Sequence, residues 1–167
     1  MEEHTVVLRL GLSVLLGGLL GLEREMSGQS AGLRTHLLVS LGACLFTLSS
    51  IAATHSLPEF PSNADADITR IASQVVVGIG FLGGGAILRH GDSIKGLTTA
   101  ANLWLTASVG MATGMGFFLG ALITVALALL ALAGLRPLER SLRHRRQRTR
   151  RPGVDDDGEE SPRTPPE

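Results

Sequence analysis

Over its first 135 residues the chain alternates long uncharged runs with short polar links, a pattern that predicts a bundle of apolar helices. Residues 6–22 form the first run, interrupted only by Arg9, and residues 37–54 form the second inside a stretch, 35–58, that lacks Asp, Glu, Lys and Arg. Residues 71–88 form the third, and as a helix they would extend roughly 27 Å, close to the hydrocarbon thickness of a bilayer. Residues 96–135 are again uncharged. That run is too long for one span and suits two joined by a turn at Gly114-Met115-Gly116. The predicted fold class is therefore all-α, a polytopic membrane protein with five transmembrane helices.

The glycines refine this picture. Gly17 and Gly21, Gly80 and Gly84, and Gly110 and Gly114 are pairs spaced by four, so each pair places a smooth patch on one helix face where another backbone can approach. Gly83 to Gly85 add three in succession, which lowers helix propensity by about 1 kcal/mol each relative to Ala. Plain helix packing is the favoured reading, ahead of a helix broken at a polar cavity. Gly78-Ile79-Gly80-Phe81-Leu82-Gly83 also satisfies G-x-G-x-x-G after Val75-Val76-Val77. A dinucleotide fold would require an amphipathic helix next and an acid about 20 residues on, whereas Thr98, Thr99 and Ala100 stand there, so that reading fails.

Charge divides the chain and orients it. Residues 136–167 hold nine of the fifteen Lys and Arg and seven of the fifteen Asp and Glu, which leaves 1–135 far more apolar than the neutral whole suggests. Three regions follow: a membrane domain (1–135), a polybasic juxtamembrane segment (136–152) and an acidic, proline-containing tail expected to be disordered (153–167). Arg24 and Arg34 lie in the first link, Arg89 and Lys95 in the third, and the arginine cluster follows the fifth run, while residues 58–67 carry acids without a base. Those basic links are expected on the cytoplasmic side, with the amino terminus outside and the carboxyl terminus inside. The arginines from Arg143 to Arg151 then lie beside anionic lipid; without interleaved aromatics or a fold to present them, nucleic acid is not an expected partner. The run at 6–22 lacks a basic leader and a small-residue cleavage site, so it reads as the first membrane helix, with Arg9 reaching headgroups from its outer end.

Little in the sequence points to chemistry. Cys44 is alone, and the five histidines are scattered through links and helix ends and read as surface residues. No catalytic set is expected, and no enzyme. Two polar groups stand out. Glu23, Arg24, Glu25 and Arg34 line the mouth of helices one and two; the two glutamates lie about 200° apart on a helix, so one is expected to face Arg34 and the other water. Thr99, Asn102 and Thr106 make one stripe on the fourth helix, with Gln74 a plausible hydrogen-bond partner, Thr98 a candidate cap and Trp104 on the lipid side. Asp67 and Arg70 are spaced to pair as helix three begins. No cofactor is expected. Mg²⁺, which takes oxygen ligands, has weak candidates in Glu23, Glu25 and Asp92, with Thr98 and Asn102 as further oxygen donors.

The segments GLEREMSGQSAGLRTH (21–36), RIASQVVVGIGFLGGGAI (70–87) and GLTTAANLW (96–104) resemble the signature segments of the MgtC/SapB family of bacterial inner-membrane proteins, and the resemblance covers roughly residues 10–135. It singles out Gly21, Glu23 and Arg24, then Ala31 to Thr35 (including Arg34 and Thr35), then Gly78 to Gly83. It implies a role tied to magnesium limitation, virulence and membrane partners, with the F-type ATP synthase as one such partner. Longer members carry a soluble domain where this chain ends in its charged tail, and Gly84 stands where Ala is usual. The combined expectation is a multi-pass inner-membrane protein that regulates through protein contacts and self-association, with an oligomeric cation transporter as the alternative.

Overall fold

The computed structural model describes residues 2–56, 68–90 and 93–134. Within them lie five helices, α1 (Glu3–Met26), α2 (Leu33–Ser56), α3 (Ile68–Ala86), α4 (Leu97–Met115) and α5 (Phe118–Gly134), with a short antiparallel hairpin, β1 (Leu88–His90) and β2 (Ser93–Lys95), between α3 and α4. The all-helical expectation therefore holds, and α3 runs straight through the G-x-G-x-x-G segment. Two helices, Glu3–Met26 and Leu33–Ala53, are long and apolar enough to cross a membrane; Ser73–Ala86 and Phe118–Gly134 are apolar but shorter. Five full spans are thus not established by helix length and composition. Asp67, Asp92, the 58–67 loop and the charged segments from 136 onward fall outside the described residues, as does the side chain of Arg70.

Each helix buries the face its sequence spacing dictates. On α1 the buried residues are Ser13, Leu16, Gly17, Leu20, Gly21 and Arg24, separated alternately by three and one, which is one stripe of a 3.6-residue period. On α4 the buried stripe begins Thr99, Asn102, Leu103, Thr106 and Ala107 and ends at Thr113 and Gly114. Helix α2 lies between these two stripes. A Cβ on Gly17 would fall 2.5 Å from the Ser40 Cβ, and one on Gly21 would fall 2.8 Å from the Leu33 Cα. From the other side, a Cβ on Gly110 would strike the Ser40 carbonyl, and one on Gly114 would lie 2.9 Å from the Cys44 carbonyl oxygen. Backbone therefore meets backbone on both flanks of α2, an approach that only hydrogen at Cα permits.

The same contacts set directions. Asn102 meets His36, Gly110 meets Ser40 and Gly114 meets Thr47, so α2 and α4 run parallel. Gly83 near the end of α3 packs on Ala100 near the start of α4, so those two are antiparallel. The end of α1, the start of α2, the end of α3, the hairpin and the start of α4 consequently share one end of the bundle. Arg9 and the α4–α5 turn occupy the other.

Two apolar clusters complete the packing. Leu16 and Leu20 of α1, Val109 of α4 and Ala121 and Val125 of α5 make one, while Ala31, Ala43, Ile79, Leu103 and Ala107 make the second beneath α3. The outward faces carry Val7, Leu15, Val77, Phe81, Leu127 and Leu130, all more than half exposed. So continuous an apolar exterior is unfavourable against water and favourable against hydrocarbon.

Two junctions depend on left-handed glycines. Gly96 (φ 88°) turns the hairpin into α4, and a Cβ there would run into the Ala86 carbonyl oxygen. The sequence predicted only a polar link at 89–95; the structure pairs Arg89 with Ile94 and Leu88 with Lys95 across two short strands. Gly116 (φ 85°) ends α4, with Phe117 N–H donating to the Ala112 carbonyl at 2.8 Å, the six-to-one closure typical of a helix carboxyl terminus. Arg9 finishes that turn. Its Nη1 donates to the Gly114 carbonyl at 2.6 Å, so the side chain does not reach outward to headgroups as expected: an unsatisfied last-turn carbonyl is the nearer acceptor.

Candidate functional site

Polar side chains sealed inside the three central helices are the least expected component of an apolar bundle, since each must find a partner there. Ser40 Oγ donates to the Ser13 carbonyl at 2.8 Å, tying α2 to α1. Thr47, Thr106 and Thr113 return their hydroxyls to carbonyls four residues back on their own helices, which satisfies them without a neighbour. Cys44 is buried with Sγ 3.6 Å from the Arg9 carbonyl, packed as a small residue.

At the end of the bundle shared by the α1–α2 link and the start of α4, these groups become a cluster. His36 is fully buried. Its Nδ1 lies 2.8 Å from the Gly32 carbonyl, which can only accept, so the proton is assigned to Nδ1. Nε2 is then an acceptor, and Asn102 Nδ2 donates to it at 2.9 Å across the α2–α4 contact. Thr99, 3% exposed, sits one turn before Asn102 on the same face. Arg24, 4% exposed, enters from the end of α1, and with Glu23 it lies within electrostatic reach of His36.

Several expectations change here. The histidines were expected at the surface, but His36 is a buried link between helices, because its two ring nitrogens match the Gly32 carbonyl just before α2 on one side and the Asn102 amide of α4 on the other. Gln74 is exposed and is not the stripe's partner; Asn102 finds His36 because α4 lies parallel to α2, while α3 turns another face to it. Thr98 is exposed and does not cap α4, whose cap is the left-handed Gly96 without a side-chain bond. Trp104 is half exposed, on the outer side of α4.

The two glutamates do separate, in a different way from the expected one. Glu25 Oε2 accepts the Leu33 N–H at 2.7 Å and so caps the first turn of α2, where unpaired amides and the helix dipole favour a carboxylate. Glu23 is half-buried, and its Oε1 accepts from Ser27 Oγ at 3.1 Å. Arg34 and Thr35 remain exposed, and Arg34 has no ion pair with either glutamate. Among the glycines, Gly17, Gly21, Gly83, Gly110 and Gly114 pack against neighbouring helices, while Gly80 and Gly84 have open space where a Cβ would be. No group of three His, Cys, Asp or Glu side chains converges on a point among the described residues.

In chemical terms the cluster offers a rigid hydrogen-bonded relay, a buried guanidinium and the oxygens of Glu23, Thr99 and Asn102. The missed member was His36. Its signal was available in the sequence: a histidine at the second position of an uncharged run, sharing a helix face with Ser40.

Comparison with known proteins places this arrangement in a family. The chain is 43% identical to an uncharacterised Synechocystis protein over 86% of its own length and 58% of the relative's. It is 44% identical to the Escherichia coli K12 protein named putative magnesium transporter YhiD, over 67% of this chain and 52% of that one. It is 43% identical to Protein MgtC of Salmonella typhimurium over 78% of this chain and 54% of that one. The chain thus spans a little over half the length of these relatives. No solved structure matches it. The MgtC family pattern matches residues 10–141, which takes in α2 to α5 whole and α1 from its eighth residue on, and this chain belongs to the MgtC family.

Proposed function

We propose that the chain is a multi-pass protein of the bacterial inner membrane, with its amino terminus outside and its carboxyl terminus in the cytoplasm, that acts as a regulator through contacts with other membrane proteins and has no enzymatic activity of its own. The regulated process is Mg²⁺ homeostasis or membrane energetics, a reading supported by the names of the E. coli and Salmonella relatives and by the family resemblance, which also makes the F-type ATP synthase a candidate partner. The carrying observation is how the glycine pairs are used. Gly17 with Gly21 and Gly110 with Gly114 are both covered inside the monomer, whereas Gly80 and Gly84 sit uncovered on α3 beside Val77, 68% exposed, and Phe81, 84% exposed. That face has the knobs and the hollow of a helix contact, and no second helix among the described residues covers it. Its occupant is a partner protein or a second copy.

Crosslinking in native membranes tests this. The unmodified chain is expected to yield a stable heteromeric or homomeric product, and Gly80→Leu with Gly84→Leu to lose it while the monomer folds as before, since neither new Cβ meets an atom within 4 Å. Recovery of a lone monomer from the unmodified chain would overturn the reading.

The buried Thr99 and Asn102 oxygens favour one second reading, an oligomeric Mg²⁺ or other cation pathway entered past Glu23. Arg24 argues against it, because a buried guanidinium beside the route repels a divalent cation in a low-dielectric setting. Liposomes containing the purified chain are expected to pass no more Mg²⁺ than empty ones; flux reduced by Glu23→Gln would reverse the preference.

A further inference from the structure

A trough of about 300 Å³ runs between α2 and α3 over Ala107 of α4, and its lining is almost wholly apolar. On its α2 wall Leu38, Gly42 and Phe46, spaced by four, follow one line along the helix for about 12 Å, with Val39 and Ala43 beside them. The next member of that line toward the polar end, one turn and about 6 Å further, is Arg34, exposed and without an ion pair among the described residues. Glu25, a carboxylate at this end, is turned onto the Leu33 N–H. Arg89 and Lys95 of the hairpin are exposed at the same end. The trough is spacious because a glycine lines each wall, Gly42 on α2 and Gly78 on α3, and a Cβ on either would meet nothing within 4 Å.

We propose that this trough binds one acyl chain of an anionic phospholipid, with the headgroup phosphate held by Arg34. The layout fits the ligand: a hydrocarbon-lined channel, with an exposed arginine outside its lining one helical turn beyond Leu38, matches an acyl tail joined to a phosphate and suits the planar fork of arginine. A neutral transmembrane helix would leave the guanidinium uncompensated. A second copy docked by two-fold symmetry on this face would bring its own Arg34 to the same end of the bundle, placing like charges together. Basic residues at this end place the lipid in the cytoplasmic leaflet. The site depends on the chain being embedded in a bilayer, but not on the partner contact at Gly80 and Gly84, which lie on the opposite side of α3 from Gly78 and Leu82.

Native mass spectrometry of the detergent-purified full chain, with phosphatidylglycerol or phosphatidylcholine added, tests it. One phosphatidylglycerol is expected to be retained preferentially. Arg34→Gln should cut that preference about fivefold, as expected for one basic residue acting near a membrane surface. Gly42→Leu with Gly78→Leu should abolish retention of both lipids at this site while helix content and melting stay unchanged. Equal retention of the two lipids, or full retention in the glycine variants, would overturn the proposal. So would disulfide-linked dimers formed through Gly42→Cys, which would put a second copy in the trough. A partner lost on changing Gly80 and Gly84 leaves these outcomes untouched, so the two ideas fail separately.

Discussion

Gly110→Leu is expected to leave little correctly folded protein. The Cβ alone would enter the Ser40 carbonyl and lie 3.0 Å from the Ala43 Cβ, and a backbone carbonyl in the middle of a helix cannot swing away as a side-chain tip can. Overpacking of a close-packed core costs about 1–3 kcal/mol, occasionally more, and here the strain falls on the contact that holds α4 to α2. The remaining atoms of the leucine would further separate Asn102 from His36, because both contacts lie along the same pair of helices. The measurement is the yield of monodisperse protein in mild detergent together with its thermal transition. The matched control is Gly80→Leu, which exchanges glycine for a better helix former at a position open to the outside. A Gly110→Leu protein as stable as that control would show that the α2–α4 contact is looser than described.

The second large effect is expected at Asn102. Asn102→Leu removes the donor to His36 Nε2 and strands a buried ring nitrogen, at a cost of about 1–3 kcal/mol by the measure of buried unsatisfied groups. Interhelical hydrogen bonds inside membrane proteins average nearer 0.6 kcal/mol, because the separated helices find other partners. A double-mutant cycle with His36→Leu distinguishes these outcomes. The double variant should be less destabilised than the sum of the single ones, since removing both partners leaves no orphan in the core. Strict additivity would mean that the two side chains do not share a hydrogen bond in solution. His36→Leu should leave the α1–α2 contact at Gly17 and Ser40 intact, because that contact is made by backbone and by Ser40 Oγ to Ser13.

Both predictions bear on function through one geometric fact. The cluster at His36, Asn102, Thr99 and Arg24 lies where α1, α2 and α4 meet, so any partner or lipid that shifts α2 would be felt there directly. The trough is lined by Ala43, Ile79 and Ala107 of the second apolar cluster, and neither it nor the open face of α3 includes the residues of the His36 cluster. That separation lets lipid binding, partner binding and core stability be tested by different substitutions.

Much of the architecture was legible in the chain alone, for reasons particular residues make clear. Uncharged runs bounded by polar links gave five helices because apolar surface and intrahelical backbone bonds satisfy such runs together. The stripe at Thr99, Asn102 and Thr106 was readable from spacing, and so were the glycine pairs, since helical periodicity puts residues three and four apart on one face. Which stripe met which partner was not readable. Gln74 was the partner the sequence offered for Asn102, with His36 read as a surface residue, and only the parallel alignment of α2 with α4 paired Asn102 with His36 instead. Likewise Arg9 looked like a headgroup anchor until the end of α4 was found beside it, more than a hundred residues later in the chain.

By itself, then, the sequence determined the helical class, the family, the helix faces and the division between an apolar body and a charged end, all of which depend on local periodicity and composition. Only the tertiary structure decided that two glycine pairs are consumed in clasping α2 while a third stays open, that Glu25 caps a helix, and that a histidine is sealed in the core. Those outcomes depend on distances between segments far apart in the chain, and helical periodicity fixes the face a residue occupies without fixing what stands opposite it.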